Sequence, residues 1–138
     1  MATRPWLASY GSTPADIDPD RHPSVTAMLD EAMRRCADRP AFRCAGQTLS
    51  FADVDRLSRD FGAYLQNKLG VKKGDRVAVM TPNLLAFPIA FLGIIRAGAA
   101  QVNVNPLYTP RELEHQLNDA GVQTIIVFSG VSGTVAEV

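Results

Sequence analysis

The stretch that decides the fold is "RVAVMTPNLLAFPIAFLGIIRAGAAQVNVNPLYTPRELEHQLNDAGVQTIIVF", residues 76–128. Three short runs rich in β-branched residues, Arg76–Met80, Ala100–Val104 and Thr124–Phe128, are separated by two segments with helical signatures. The first helical segment, Leu84 to Ala97, is followed by Gly98. The second runs from Pro110 to Ala120 and stops at Gly121. Its start is well marked. Thr109 stands at the cap, proline at the first helical position, and Glu112 completes a Thr-x-x-Glu box. Strand–helix–strand–helix–strand with short loops predicts two crossover units and a parallel sheet, because parallel neighbours cannot be joined by a hairpin.

Two features of the stretch need explaining. Gln101, Asn103 and Asn105 alternate with Val102 and Val104. The valines are expected to face the core, and the amides to point toward a layer built by other chain. The segment Leu84–Ile95 is apolar on every side, unlike a surface helix. Its far side needs a cover, which is expected from later chain outside residues 1–138; within them an apolar patch should be exposed, through which the chain should self-associate as a symmetric dimer. Pro88 is expected to bend this helix or shift its start.

Upstream, Ser24 caps a helix whose apolar stripe is Val25, Met28, Leu29, Ala32, Met33 and Cys36, with both methionines in the core. "AFRCAGQTLSF" reads as a hairpin around Gly46. Ser50, with Asp53 three residues on, caps a third helix whose stripe is Phe51, Val54, Leu57, Phe61, Leu65 and Leu69, ended by Gly70. Residues 1–23 read as an irregular arm punctuated by Pro5, Pro14, Pro19 and Pro23, which Trp6 and Tyr10 would pin to the body. Residues 24–138 read as one α/β unit.

Composition bounds the function. The chain has 138 residues, 46% apolar and 20% charged, with a formal net charge of zero. No basic excess points to nucleic acid. The apolar run Leu84–Ile95 is shorter than the ~20 residues of a membrane span. Cys36 and Cys44 are too few for a disulfide framework and read as reduced thiols of a cytoplasmic protein.

Ligands of open parallel sheets bind beyond the carboxyl ends of the strands. Here those ends are Thr81–Asn83, Asn105–Tyr108 and Ser129–Gly130, which carry hydroxyls, amides and one phenol. Gly93 to Gly98 has the glycine spacing of a phosphate loop, but Ala99 stands where its lysine belongs. "SGVSGTVAEV" could hold an anion on its amides, or could be a plain helix cap at Ser129 or Ser132. Glu112 and His115 lack the second copy that a di-metal bundle needs. Lys68, Lys72, Lys73 and Arg76 read as a solvated cluster around a turn. No catalytic, cofactor-binding or metal-binding residue is assigned on this basis. The candidates for lining the crevice are Asn83, Asn105 and Tyr108, with turn and cap chemistry as their plain alternative.

The wording of the sequence adds a resemblance. "LSFADVDRLS" and "LGIIRAGAAQVNVNPLYTPRELEHQL" resemble the first two core motifs of AMP-forming acyl-activating enzymes. With "WLASYGSTPADID" ahead of them, they look most like bacterial long-chain fatty-acid–CoA ligases. The resemblance implies layered helices on a mainly parallel sheet with a small N-terminal β-hairpin, the first part of a larger AMP-binding domain. It implies a ligase that uses ATP, magnesium and coenzyme A on a long-chain fatty acid. The phosphate loop, the adenine and magnesium contacts and the adenylating lysine would lie in the remainder of the ligase chain. Residues 1–138 alone would then be inactive. Such a parent would be cytoplasmic, with peripheral association at the inner membrane left open. Two other classes stay open: a stand-alone doubly wound nucleotide-binding domain using the Ser129–Gly133 loop, and a non-catalytic interaction domain.

Overall fold

A computed structural model describes residues 4–138; the first three positions of the expected arm lie outside them. The chain forms α1 (Val25–Arg35), a hairpin of β1 (Pro40–Cys44) and β2 (Gln47–Ser50), α2 (Phe51–Asn67), β3 (Arg76–Met80), α3 (Ala86–Arg96), β4 (Ala100–Asn103), α4 (Pro110–Ala120), β5 (Thr124–Val127) and α5 (Ser132–Ala136). Strands β4, β3 and β5 form a parallel sheet in that order, with Val77 opposite both Gln101 and Thr124. The α/β architecture and the β1–β2 hairpin match the expectation.

The helices start where local chemistry dictates. Ser24 Oγ accepts the Ala27 amide at 3.1 Å and opens α1. The α2 start is a complete capping box: Ser50 Oγ accepts the Asp53 amide, and the Asp53 carboxylate accepts the Ser50 amide, both at 3.1 Å. Thr109 and Glu112 do the same for α4, and Gly121 closes that helix at φ +62°. Helix α3 is the exception. It begins at Ala86, two residues later than the sequence suggested, with Leu85 at the cap and no side-chain hydrogen bond. Pro88 is its third residue, where a backbone donor would lack an intrahelical partner anyway. The proline is tolerated by the later start.

The sheet is covered on both faces. Because side chains alternate along a strand, Val77 and Val79 of β3 face Leu65, Ala90, Ile94 and Ala97 of α2 and α3 and the turn after it. Ala78 and Met80 face the other way, against Leu113 and Leu117 of α4 and Val135 of α5. Val102 and Val104 join this second face, as expected. Gln101 and Asn103 therefore lie on the α3 side of edge strand β4, where Gln101 Nε2 donates to Asn103 Oδ1 at 2.7 Å.

The far side of α3 is not bare. A third cluster joins Leu92 to Met33 of α1 and Val54 of α2, with Leu49 of the hairpin packed against it. Residues 25–67 thus cover most of the apolar helix; what remains outside is its first turn and Phe91, 39% exposed, which with Phe42, Leu84 and Leu85 line a small apolar depression rather than the broad bare face on which the dimer expectation rests. Helices α2 and α3 cross closely at two glycines. A Cβ at Gly62 would meet the Gly93 carbonyl oxygen at 3.0 Å, and one at Gly93 would meet the Phe61 ring at 2.7 Å.

Three smaller expectations fail. Met28 is 43% exposed because it lies at the solvent edge of the α1 stripe, and only Met33 enters the core. Leu69 falls beyond the end of α2 and is exposed. Trp6 and Tyr10 do not bury themselves against the body: Trp6 is 52% exposed. The arm instead closes on itself, Arg4 pairing with Asp16 at 2.8 Å and donating to the Ala15 carbonyl.

Candidate functional site

The carboxyl ends of the three parallel strands lie on one edge of the sheet. After β3 the chain leaves toward the face that carries α3; after β4 and β5 it leaves toward the face of α4 and α5. In open α/β sheets such departure to opposite faces marks the usual ligand position, which here falls beside the end of β3. Asn83 belongs to the loop on one side of that position. Asn105 and Tyr108 belong to the next loop, after β4.

Their local roles differ. Asn105 Oδ1 accepts the Leu107 amide at 3.0 Å, and its carbonyl accepts the Tyr108 amide at 3.1 Å, so this asparagine builds the turn around Pro106. Tyr108 is half-buried and packs on the Met80–Val104–Leu113 cluster. Asn83 is exposed and does not cap α3, which starts further on. Its carbonyl accepts the Cys44 thiol at 3.6 Å, which ties the loop to the hairpin. Beside it lies an apolar depression of about 360 Å³ lined by Phe42, Leu84, Leu85, Phe87 and Phe91, with Arg43 at its rim.

The loop after β5 does not form a helix cap. Residues Ser129–Val131 make a single 3-10 turn with no side-chain cap, and the Ser132 hydroxyl donates to the Ser129 carbonyl at 2.9 Å. The Phe128 ring lies over Gly130 so closely that a Cβ there would meet it at 2.5 Å.

Loops Thr81–Asn83, Asn105–Tyr108 and Ser129–Gly130 carry no cationic side chain to neutralise a triphosphate and no carboxylate to hold a divalent ion. The ordinary binding chemistry for ATP and magnesium does not fit these residues alone, so no reaction step is assigned to them. At the opposite end of the sheet the basic cluster has a structural reason. Lys68 is the C-cap of α2, Lys73 packs against Gly98 after α3, and the Arg76 guanidinium lies beside Gly121 after α4. Three helix carboxyl termini, each with partial negative charge, arrive where these cations sit.

Sequence reasoning missed one constellation. Arg96, whose side chain is 7% exposed, donates to Asp30 Oδ1 of α1 and Asp55 Oδ1 of α2 at 2.7 Å each, and to Ser58 Oγ at 3.0 Å. Arg59 adds a second cation, 3.0 Å from each carboxylate. Burial works against ionisation of Asp30, but the hydrogen bond and charge of Arg96, and then Arg59, outweigh it and hold the carboxyl below its ordinary value. The signal was present: Ser58 falls in the apolar stripe of α2, four residues after Val54, and Arg96 closes a helix with no polar face. The cluster joins α1, α2 and α3 and stands away from the strand ends.

A parallel sheet covered on both faces, with connections that leave its adjacent strands toward opposite faces, defines a doubly wound α/β unit. The chain belongs to the AMP-binding enzyme family, whose model matches residues 29–138. It is 53% identical, over 134 residues and 96% of its length, to a long-chain-fatty-acid–CoA ligase of Salmonella typhimurium. It is 52% identical to one of Escherichia coli O6:H1 over the same share. The chain spans about a quarter (24%) of the length of these relatives. In fold it is similar to a benzoate CoA ligase from Burkholderia xenovorans, with a TM-score of 0.77 over 81% of this chain and 23% of that one.

Proposed function

We propose that this chain serves in an ATP-dependent long-chain fatty-acid–CoA ligase. Such an enzyme joins ATP and a long-chain fatty acid, with magnesium, into an acyl-adenylate and pyrophosphate. Coenzyme A then displaces AMP to give the thioester. The observation that carries this reading is the 53% identity to a long-chain-fatty-acid–CoA ligase across 96% of the chain. In this reading the partner of the α/β unit is the remainder of a ligase chain, which brings the phosphate loop, the metal contacts and the adenylating lysine. Asn83, Asn105 and Tyr108 would flank the ligand position from two neighbouring loops. Their place at the carboxyl ends of adjacent strands β3 and β4, and the exposure of Asn83, support that role. The enzyme works in the cytoplasm, with peripheral contact at the inner membrane bringing it to its substrate. No described helix is long and apolar enough to cross a membrane.

The test is ATP–pyrophosphate exchange with a long-chain fatty acid, on the 138-residue chain and on a chain extended to the length of its relatives. Adenylation needs positioned charge on the phosphates, so the short chain should show no exchange above background and the extended chain should show fatty-acid-dependent exchange. Exchange by the short chain would overturn the division of labour. An extended chain that exchanges with aromatic acids but not with fatty acids would overturn the substrate class.

A further inference from the structure

We draw no further inference here: the strongest candidate, the apolar depression between the β1–β2 hairpin and the first turn of α3 lined by Phe42, Leu84, Leu85, Phe87 and Phe91, is an unpartnered surface, and nothing in the structure shows what covers it.

Discussion

Helices α3 and α4 make the same journey, from the carboxyl end of one strand to the amino end of the next, but different interactions fix them. Helix α4 is specified within its own sequence. It has a reciprocal capping box, proline at its first position, a left-handed glycine at its end and one buried stripe around Leu113. Its outer face, including Arg111, Glu114 and His115, is exposed. Helix α3 has no side-chain cap and a proline in its first turn. It is held from outside by the sheet through Ala90 and Ile94, by α1 and α2 through Leu92, and by the ion cluster on Arg96. One helix would be weakened mainly by changes within it, the other by changes in its neighbours.

The largest expected effect tests the second half of that contrast. Arg96→Ala leaves the Asp30 and Asp55 carboxylates facing each other without their buried partner. Removing one member of a buried ion pair costs roughly 3–5 kcal/mol. These carboxylates keep 28% and 27% side-chain exposure, so about 3 kcal/mol, the low end of that range, is expected. Urea unfolding monitored by circular dichroism measures it. If Arg96→Ala costs no more than loss of the Thr109 cap, the cluster is decoration and α3 is held by apolar packing alone.

Acid sharpens the same point. The Asp30 carboxyl is held below its ordinary value of 3.8, so its contribution is fully present above that value and is lost as pH falls through the lower folded value. Wild-type stability should therefore drop below about pH 4, where the unfolded chain takes up the proton first. In Arg96→Ala the acid loss should be shallower, because much of what lowers the Asp30 pKa has gone while Arg59 remains. The capping carboxylates Asp53, half-buried, and Glu112, exposed, are also held low, by hydrogen bonds from Ser50 and Thr109, and they titrate in the same window in both proteins. Equal acid slopes for wild type and variant would assign the acid loss to these caps and break the link between Arg96 and Asp30.

The contrast also explains what the sequence made legible. The α4 start at Thr109, its stop at Gly121 and the Ser50 box rest on contacts within four residues, and each strand shows as a short β-branched run between turn residues, so they can be read from local sequence although the strand pairings themselves are long-range. The cover on α3 comes from residues 25–67, and the Arg96–Asp30 contact spans 66 positions. Nothing in the spacing of one segment reports such a partner, which is why the cover was expected from outside the chain. The crevice candidates were legible only as positions at strand ends. Which side chain builds its own turn, as Asn105 does, and which stays free, as Asn83 does, depends on backbone geometry that spacing does not encode.

The first half of the contrast predicts a smaller, strictly local effect. Thr109→Ala removes the acceptor for the Glu112 amide and the hydroxyl donor to the Glu112 carboxylate. A loss of about 1 kcal/mol is expected, as for other helix caps. Thr109→Ser keeps the oxygen and should recover most of it. Denaturant melts that place alanine and serine on a level would show that the cap contributes nothing to α4, and the distinction between the two helices would weaken.

The smallest expected effect has the opposite sign, and it lies in the layer that non-local contacts hold. The two residues between paired Cys44 and Gln47 are Ala45 and Gly46, with φ of +47° and +78°. Positive φ at both central positions is what a tight hairpin turn of type I′ requires, and asparagine followed by glycine meets it best. Ala45 is the one described non-glycine residue at positive φ. The left-handed region costs an L-residue with a Cβ roughly 1–2 kcal/mol; this hairpin keeps a locally unfavourable residue at an exposed turn whose two strands are fixed by their pairing and by Ala41 and Leu49 in the third cluster. Ala45→Asn should relieve part of that cost without loosening the unfolded chain, for a gain of about 0.5 kcal/mol. Ala45→Gly removes the Cβ clash but adds unfolded-state entropy, so the two effects nearly cancel. Ala45→Val should be the worst, because a β-branched residue is a poor fit to this region. The expected order of melting midpoints is therefore asparagine, then glycine close to alanine, then valine. If alanine proves at least as stable as asparagine, the turn carries no local strain, and the claim that packing overrides local preference in this layer loses the hairpin as support.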